Sequence, residues 1–163
     1  MQPPDETLAS EHASVEIAAA PEAVYAMVAD ITRMGEWSPE ATGGAWLDGG
    51  SGAVGDWFAG HNRTAAREWT RECEVAEAEP GRGFTFVVGG VAANCTWWSY
   101  EMEPSATGTK LTERWWIVNK TPALAAATPE QFAGRVELTR SMLTETLHRI
   151  KTAAEATPAG QPE

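Results

Sequence analysis

At 163 residues, 43% hydrophobic and 21% charged, the chain has the size and balance of one globular domain able to bury roughly 70% of its unfolded surface. Twelve Lys and Arg against 23 Asp and Glu leave a net charge of −11, which excludes nucleic acid and anionic membranes as partners, because both require a basic face. Two Cys without a CxxC and three His without ligand spacing predict no metal, no cofactor and no disulfide.

No segment holds 18 consecutive apolar residues, so no membrane insertion is expected, and the acidic "MQPPDETLASEH" start lacks the apolar stretch of a signal peptide. A cytoplasmic protein is the expectation. Residues 1–11 and 156–163 are polar, aperiodic and Pro-bearing, and read as mobile tails around a single domain at 12–155.

The elements follow in order. "ASVEIAA" (13–19) alternates Val15 and Ile17 against Ser14 and Glu16, a strand. "APEAVYAMVAD" (20–30) opens a helix with Pro21 at its first position, and Asp30 caps a second short helix that Gly35 and Pro39 end. From 41 to 118, six strand-like runs are separated by turn sequences such as "DGGSGAVGD", "EPGRG" and "PSATG". Thr128-Pro129-Glu130-Gln131 is a capping box, and Phe132, Val136, Thr139, Leu143, Leu147 and Ile150 follow at helical spacing. Strand, two short helices, six strands and one long helix predict an α+β fold. A seven-stranded curved antiparallel sheet wrapped around the C-terminal helix buries every apolar stripe at once.

Eight Trp against four Phe and two Tyr is unusual, and four of them form the pairs Trp97-Trp98 and Trp115-Trp116. Consecutive strand residues face opposite ways. The charged set Glu101 and Glu103 turns Trp97 outward and Trp98, Tyr100 and Met102 inward. Leu111 and Ile117 pull Trp115 and Glu113 inward, leaving Trp116 outside. The same parity places Phe58, Gly60 and Asn62 inside, with Trp69, Arg71 and Cys73, and with Phe84, Phe86 and Val88. An inward carboxylate must be neutralised, paired or met by a ligand. For Glu113 the alternatives are an ion pair with Arg71, a bulge that turns it outward, or a ligand.

Apolar walls with a few isolated polar groups (Asn62, Arg71, Tyr100, Glu113 and Thr139) are the composition of a ligand cavity. The expected lining is Trp37, Phe58, Asn62, Trp69, Phe86, Trp98, Tyr100 and Trp115, closed by Phe132, Val136, Thr139 and Leu143 of the long helix. Outward Trp97 and Trp116 form a patch suited to a homodimer through that sheet face.

The segments "APEAVYAMVADITRMGEWSPE", "GDWFAGHNR", "CEVAEAEPGRGFTFVV", "WWSYEMEP" and "GTKLTERWW" resemble the polyketide cyclase/dehydrase and lipid-transport family of the START-related helix-grip (SRPBCC) superfamily, over about residues 12–155. The resemblance implies a deep hydrophobic cavity that binds lipids, polyketides or other aromatic molecules, with Trp37 near its mouth and Asn62 facing into it. Three readings stand: a carrier or sensor of a hydrophobic small molecule, a cyclase or dehydratase using Glu113 as base beside Tyr100 as acid and Arg71, and a non-catalytic dimeric interaction domain.

Overall fold

The computed structural model describes residues 1–156. The strands are β1 (Ala9–Ile17), β2 (Ala41–Trp46), β3 (Trp57–Arg63), β4 (Glu68–Glu79), β5 (Gly83–Val88), β6 (Thr96–Pro104) and β7 (Thr109–Ile117). They form one antiparallel sheet in the order β1-β7-β6-β5-β4-β3-β2. Helix α1 (Pro21–Val28) and a 3-10 helix (Ile31–Glu36) carry the chain from one sheet edge to the other. Pro21 supplies the preset φ at the start of α1. Asp30 accepts from the Thr32 amide at 3.2 Å, the cap anticipated for the second helix. Among the described residues no helix is long and apolar enough to cross a membrane.

Helix α3 (Pro129–Ala156) runs 28 residues, about 42 Å at 1.5 Å per residue. Its capping box is reciprocal: the Gln131 amide donates to Thr128 Oγ1 at 3.1 Å, and the Thr128 amide to Gln131 Oε1 at 2.9 Å. Thr128→Ala removes one of these bonds and is expected to cost about 1 kcal/mol, a fall of roughly 3 °C in the midpoint of thermal unfolding. Leu143, Leu147, Ile150 and Ala154 bury the apolar stripe in the grip of the sheet.

The core is solid at one end and hollow at the other. Near α1, Ile17, Val24, Val28, Phe84, Met102, Leu111, Leu147 and Ile150 pack together, with Tyr25 edge-on to Phe84 at 6.3 Å. Moving along the same strands and α3, the next inward residues (Phe86, Trp98, Trp115, Leu143) border open space instead. Strict alternation after Cys73 and Val75 would send Glu77 inside. A bulge between Val75 and Glu77 inserts one residue, so Ala78 joins the core while Glu77 stays outside and accepts from Thr85 Oγ1 at 3.3 Å.

Two expectations about the surface change. β1 begins at Ala9, so residues 9–11 belong to the sheet and not to a tail, with Glu11 opposite Trp115. The chain before it leaves the β1 edge, where the Leu8 amide donates to Ile117 O at 2.8 Å. It reaches the outer face of β4 and β6, where the Met1 ammonium contacts Glu77 at 3.3 Å and Ser99 at 3.2 Å. Trp97 and Trp116 stack at 5.6 Å and 8°, and Trp116 is only 2% exposed. Stacking therefore leaves Trp116 buried and Trp97 half-buried, in place of the fully exposed pair expected to carry a dimer. Of the expected tail 156–163, Ala156 closes α3 and residues 157–163 lie outside the described residues.

Candidate functional site

The hollow end of the grip is a cavity of about 200 Å³. Its walls come from six strands, the 3-10 helix and α3, with Ala41 the contribution of β2, and strand parity sets which residues of the long strands face it. Phe58, Gly60 and Asn62 come from β3, Trp69, Arg71 and Cys73 from β4, and Phe86 and Val88 from β5. Trp98 and Tyr100 come from β6, and Glu113, Trp115 and Ile117 from β7. The register sets Trp98 directly opposite Trp115 and Tyr100 opposite Glu113. The two indoles meet at 6.3 Å with a 53° tilt, and Phe58 lies edge-on to Phe86 at 5.2 Å.

Trp37 joins this wall by a close approach of backbones. A Cβ at Gly35 would fall 2.4 Å from Thr42 O, so only glycine lets the 3-10 helix rest on β2. Trp37 is then 1% exposed, beneath the Arg33 guanidinium at 5.1 Å from its ring. It is a buried wall residue and not an open rim.

Polar groups divide into an inner set and an outer set. Inside, Tyr100 hydrogen-bonds the Glu113 carboxyl, and both residues are under 5% exposed. Burial pushes Glu113 up to about 8, against a smaller downward pull from Tyr100. Burial first, and then the Glu113 carboxyl, push the Tyr100 phenol well above its ordinary value. At neutral pH both groups hold their protons. Glu113 is therefore mostly protonated at neutral pH and presents a proton donor to the cavity. Cys73, also on the wall, is pushed up to about 12 by burial and stays a thiol without nucleophilic reactivity.

Among the described residues, three buried side-chain polar atoms have no hydrogen-bond partner, and two of them belong to cavity residues: Glu113 Oε2 and Trp115 Nε1. A buried polar atom left unpaired costs about 1–3 kcal/mol. Glu113 and Trp115 take successive inward positions of β7, and both residues border the cavity. With Glu113 protonated, its carboxyl O–H and the Trp115 indole N–H are two donors that call for an acceptor.

The outer set closes the mouth. Arg135 of α3 holds Glu40, the residue before β2, through two bonds of 2.7 and 3.1 Å, and both residues border the cavity. The connection between β7 and α3 folds into a short helix α2 (Pro122–Ala125), and Thr121, Ala123 and Leu124 complete the wall. Glu40→Ala leaves the guanidinium unpaired. It should cost about 1–3 kcal/mol, lower the thermal midpoint by roughly 5 °C and speed ligand exchange in stopped-flow mixing.

Of the residues expected here, Trp37, Phe58, Asn62, Trp69, Phe86, Trp98, Tyr100, Trp115 and Leu143 border the cavity, as do Arg71 and Glu113. Phe132, Val136 and Thr139 do not. Phe132 carries the Lys120 ammonium 5.2 Å from its ring, and the Thr139 hydroxyl donates to Arg135 O at 2.8 Å within its own helix. The α2 connection takes the place expected for the first turns of α3. Arg71 is exposed at the mouth and is not the partner of Glu113, whose carboxyl meets Tyr100 instead. The Glu40–Arg135 pair was not foreseen. Its partners stand 95 residues apart, and only the position of Arg135 one turn before Thr139 hinted that it faces the sheet.

Comparison with known proteins agrees with this architecture. The family model described as polyketide cyclase/dehydrase and lipid transport matches residues 9–155. The solution structure of the polyketide-cyclase-like protein Cgl2372 of Corynebacterium glutamicum is 34% identical, with 93% of this chain aligned to 94% of that one and a TM-score of 0.66. Two more distant structures share the fold. The di-domain ARO/CYC StfQ of steffimycin biosynthesis is 15% identical over 90% of this chain and 50% of its own, with a TM-score of 0.69. Ara h 8.0201 is 9% identical over 91% and 99%, with a TM-score of 0.64. No curated protein matches the chain.

Proposed function

The chain belongs to the polyketide cyclase/dehydrase and lipid-transport family, and from that premise we propose that it binds a small ring-containing apolar molecule as a carrier or sensor. The observation that carries this reading is the half-open aromatic cavity bordered by Glu113 and Trp115, whose Oε2 and Nε1 have no hydrogen-bond partner. Apolar surface supplies the affinity, at about 25 cal/mol per Å² removed from water before the costs of association. The two donors orient one ligand oxygen.

Size narrows the ligand. A cavity near 150 Å³ suffices for benzene, so about 200 Å³ accommodates one or two fused rings. A long acyl chain or an extended polyketide exceeds it unless the mouth opens at the Glu40–Arg135 pair. Calorimetric titration with 2-naphthol tests the reading. Saturable one-to-one binding in the micromolar range is expected, and no binding below millimolar concentration would count against it.

One observation favours a second reading, catalysis in the same cavity. The Glu113 proton, held near pH 8 beside a tyrosine, is available for transfer to a leaving hydroxyl or a carbonyl. An enzyme of this kind would dehydrate a cyclic β-hydroxy ketone. Glu113 gives its proton to the hydroxyl that leaves as water, and its carboxylate then takes the α proton as the C=C bond forms. Glu113→Gln would keep binding while losing turnover. Equal turnover by the variant removes this reading and leaves the carrier.

A further inference from the structure

The mouth of the cavity carries an uncompensated positive charge in a strongly negative protein. Of the twelve Lys and Arg in the chain, eight lie within 4.0 Å of a carboxylate. Among the described residues that leaves Arg67, Arg71, Arg82 and Lys120. Arg67 and Arg71 both border the cavity, two positions either side of Trp69, and the Arg67 guanidinium lies over that indole, 4.5 Å from the ring centroid. With 23 carboxylates available, two guanidinia on one rim without one is a feature to explain. The carboxylate that does border the cavity mouth, Glu40, is held by both of its oxygens on Arg135 and leaves these two cations uncompensated.

We infer that the ligand is an anion, a ring compound whose carboxylate sits at the mouth between Arg67 and Arg71 while a carbonyl or hydroxyl oxygen at the other end meets Glu113 and Trp115. This rests on the cavity reading above and adds the charge and polarity of the ligand. The two ends impose one direction. The inner end has donors but, with Glu113 protonated, no cation and no room for an unshared charge; the outer end has guanidinium forks matched to a carboxylate. A ligand entering carboxylate-first would bury its charge against a carboxyl group. Attraction at the mouth also offsets the repulsion that a chain of net charge −11 exerts on an approaching anion.

A matched pair of probes tests this: 1-tetralone, which has the ring and the inner oxygen, and its 6-carboxylate, which adds the charge at the opposite end. Calorimetry at 50 mM salt should show the acid binding at least tenfold tighter than the ketone, with the advantage shrinking at 500 mM salt. The advantage should collapse in an Arg67→Gln, Arg71→Gln double variant and persist in Arg82→Gln, which removes an unpaired arginine away from the cavity. Because the salt series uses the unaltered protein, it decides the matter even if the double variant folds poorly. Ketone binding without any advantage for the acid overturns the anionic ligand while the cavity reading stands. An advantage that survives the double variant overturns the assignment to Arg67 and Arg71. Binding of neither probe overturns the cavity reading and this inference together.

Discussion

At pH 9 the Glu113→Gln variant should unfold on the order of 10 °C above the parent protein, while at pH 5 the two should nearly coincide. The sign follows from proton binding. Glu113 titrates near 4.5 in the unfolded chain and near 8 when folded. Between those values the folded state holds a proton that the unfolded state has released, so stability falls as pH rises through this window and levels off above about 8. The full loss is roughly 5 kcal/mol, using about 1.4 kcal/mol per tenfold change in proton affinity, and a kcal/mol moves the midpoint by about 2–4 °C at this size. Glutamine fills the same space without the proton, so the slope should vanish. Differential scanning calorimetry from pH 5 to 9 reads it. Equal slopes for the two proteins would mean that Glu113 is ionised in a site it shares with water. The same ionisation should weaken binding of any ligand whose oxygen faces Glu113, with an apparent midpoint near pH 8 in the parent and none in the variant.

Gly60→Leu should abolish ligand binding, at least a hundredfold in Kd, without destabilising the protein. Gly60 borders the cavity in the middle of β3 with ordinary strand geometry. A Cβ placed there would meet its nearest neighbours, Arg71 O and a Phe58 ring carbon, at 3.7 Å, which is normal contact. The leucine side chain then has nowhere to go but the open space. Filling a void adds apolar contact at about 24 cal/mol per Å³ recovered, so the thermal midpoint should hold or rise. Lost binding with retained or improved stability is the signature of a void maintained for a ligand. A large fall in midpoint would instead mean that the space is already closed by repacking.

Parity carried most of the site. The period-2 pattern of β6 and β7 was enough to turn Trp98, Tyr100, Glu113 and Trp115 inward, because one face of each strand bears the charges and the other the aliphatics. Parity does not give register, which depends on turn geometry and bulges. The opposition of Tyr100 and Glu113 was therefore not legible, and Arg71 stood as an equally good partner until the ladder separated them. Depth along a strand was equally hidden. Arg71 and Cys73 share a face, yet one is exposed at the mouth and the other buried, because the cavity opens toward the β3–β4 end. The helix stripe misled for a related reason. Phe132, Val136 and Thr139 have the same spacing as Leu143, but the α2 connection, with no periodicity to announce it, occupies their stretch of wall. Alternation also failed to show how Trp97 and Trp116 would be covered, since their stacking depends on the register that sets them opposite each other.

The eight indole N–H groups provide a direct view of where a ligand goes, one nitrogen–proton correlation peak each. During titration with 1-tetralone, occupancy of the cavity should move the Trp115 peak furthest, as its free N–H gains an acceptor. Trp98 and Trp37 should follow, while Trp57 and Trp97, which do not border the cavity, stay in place. Movement confined to Trp97, or saturation with no shift at Trp115, would contradict a ligand site inside the grip.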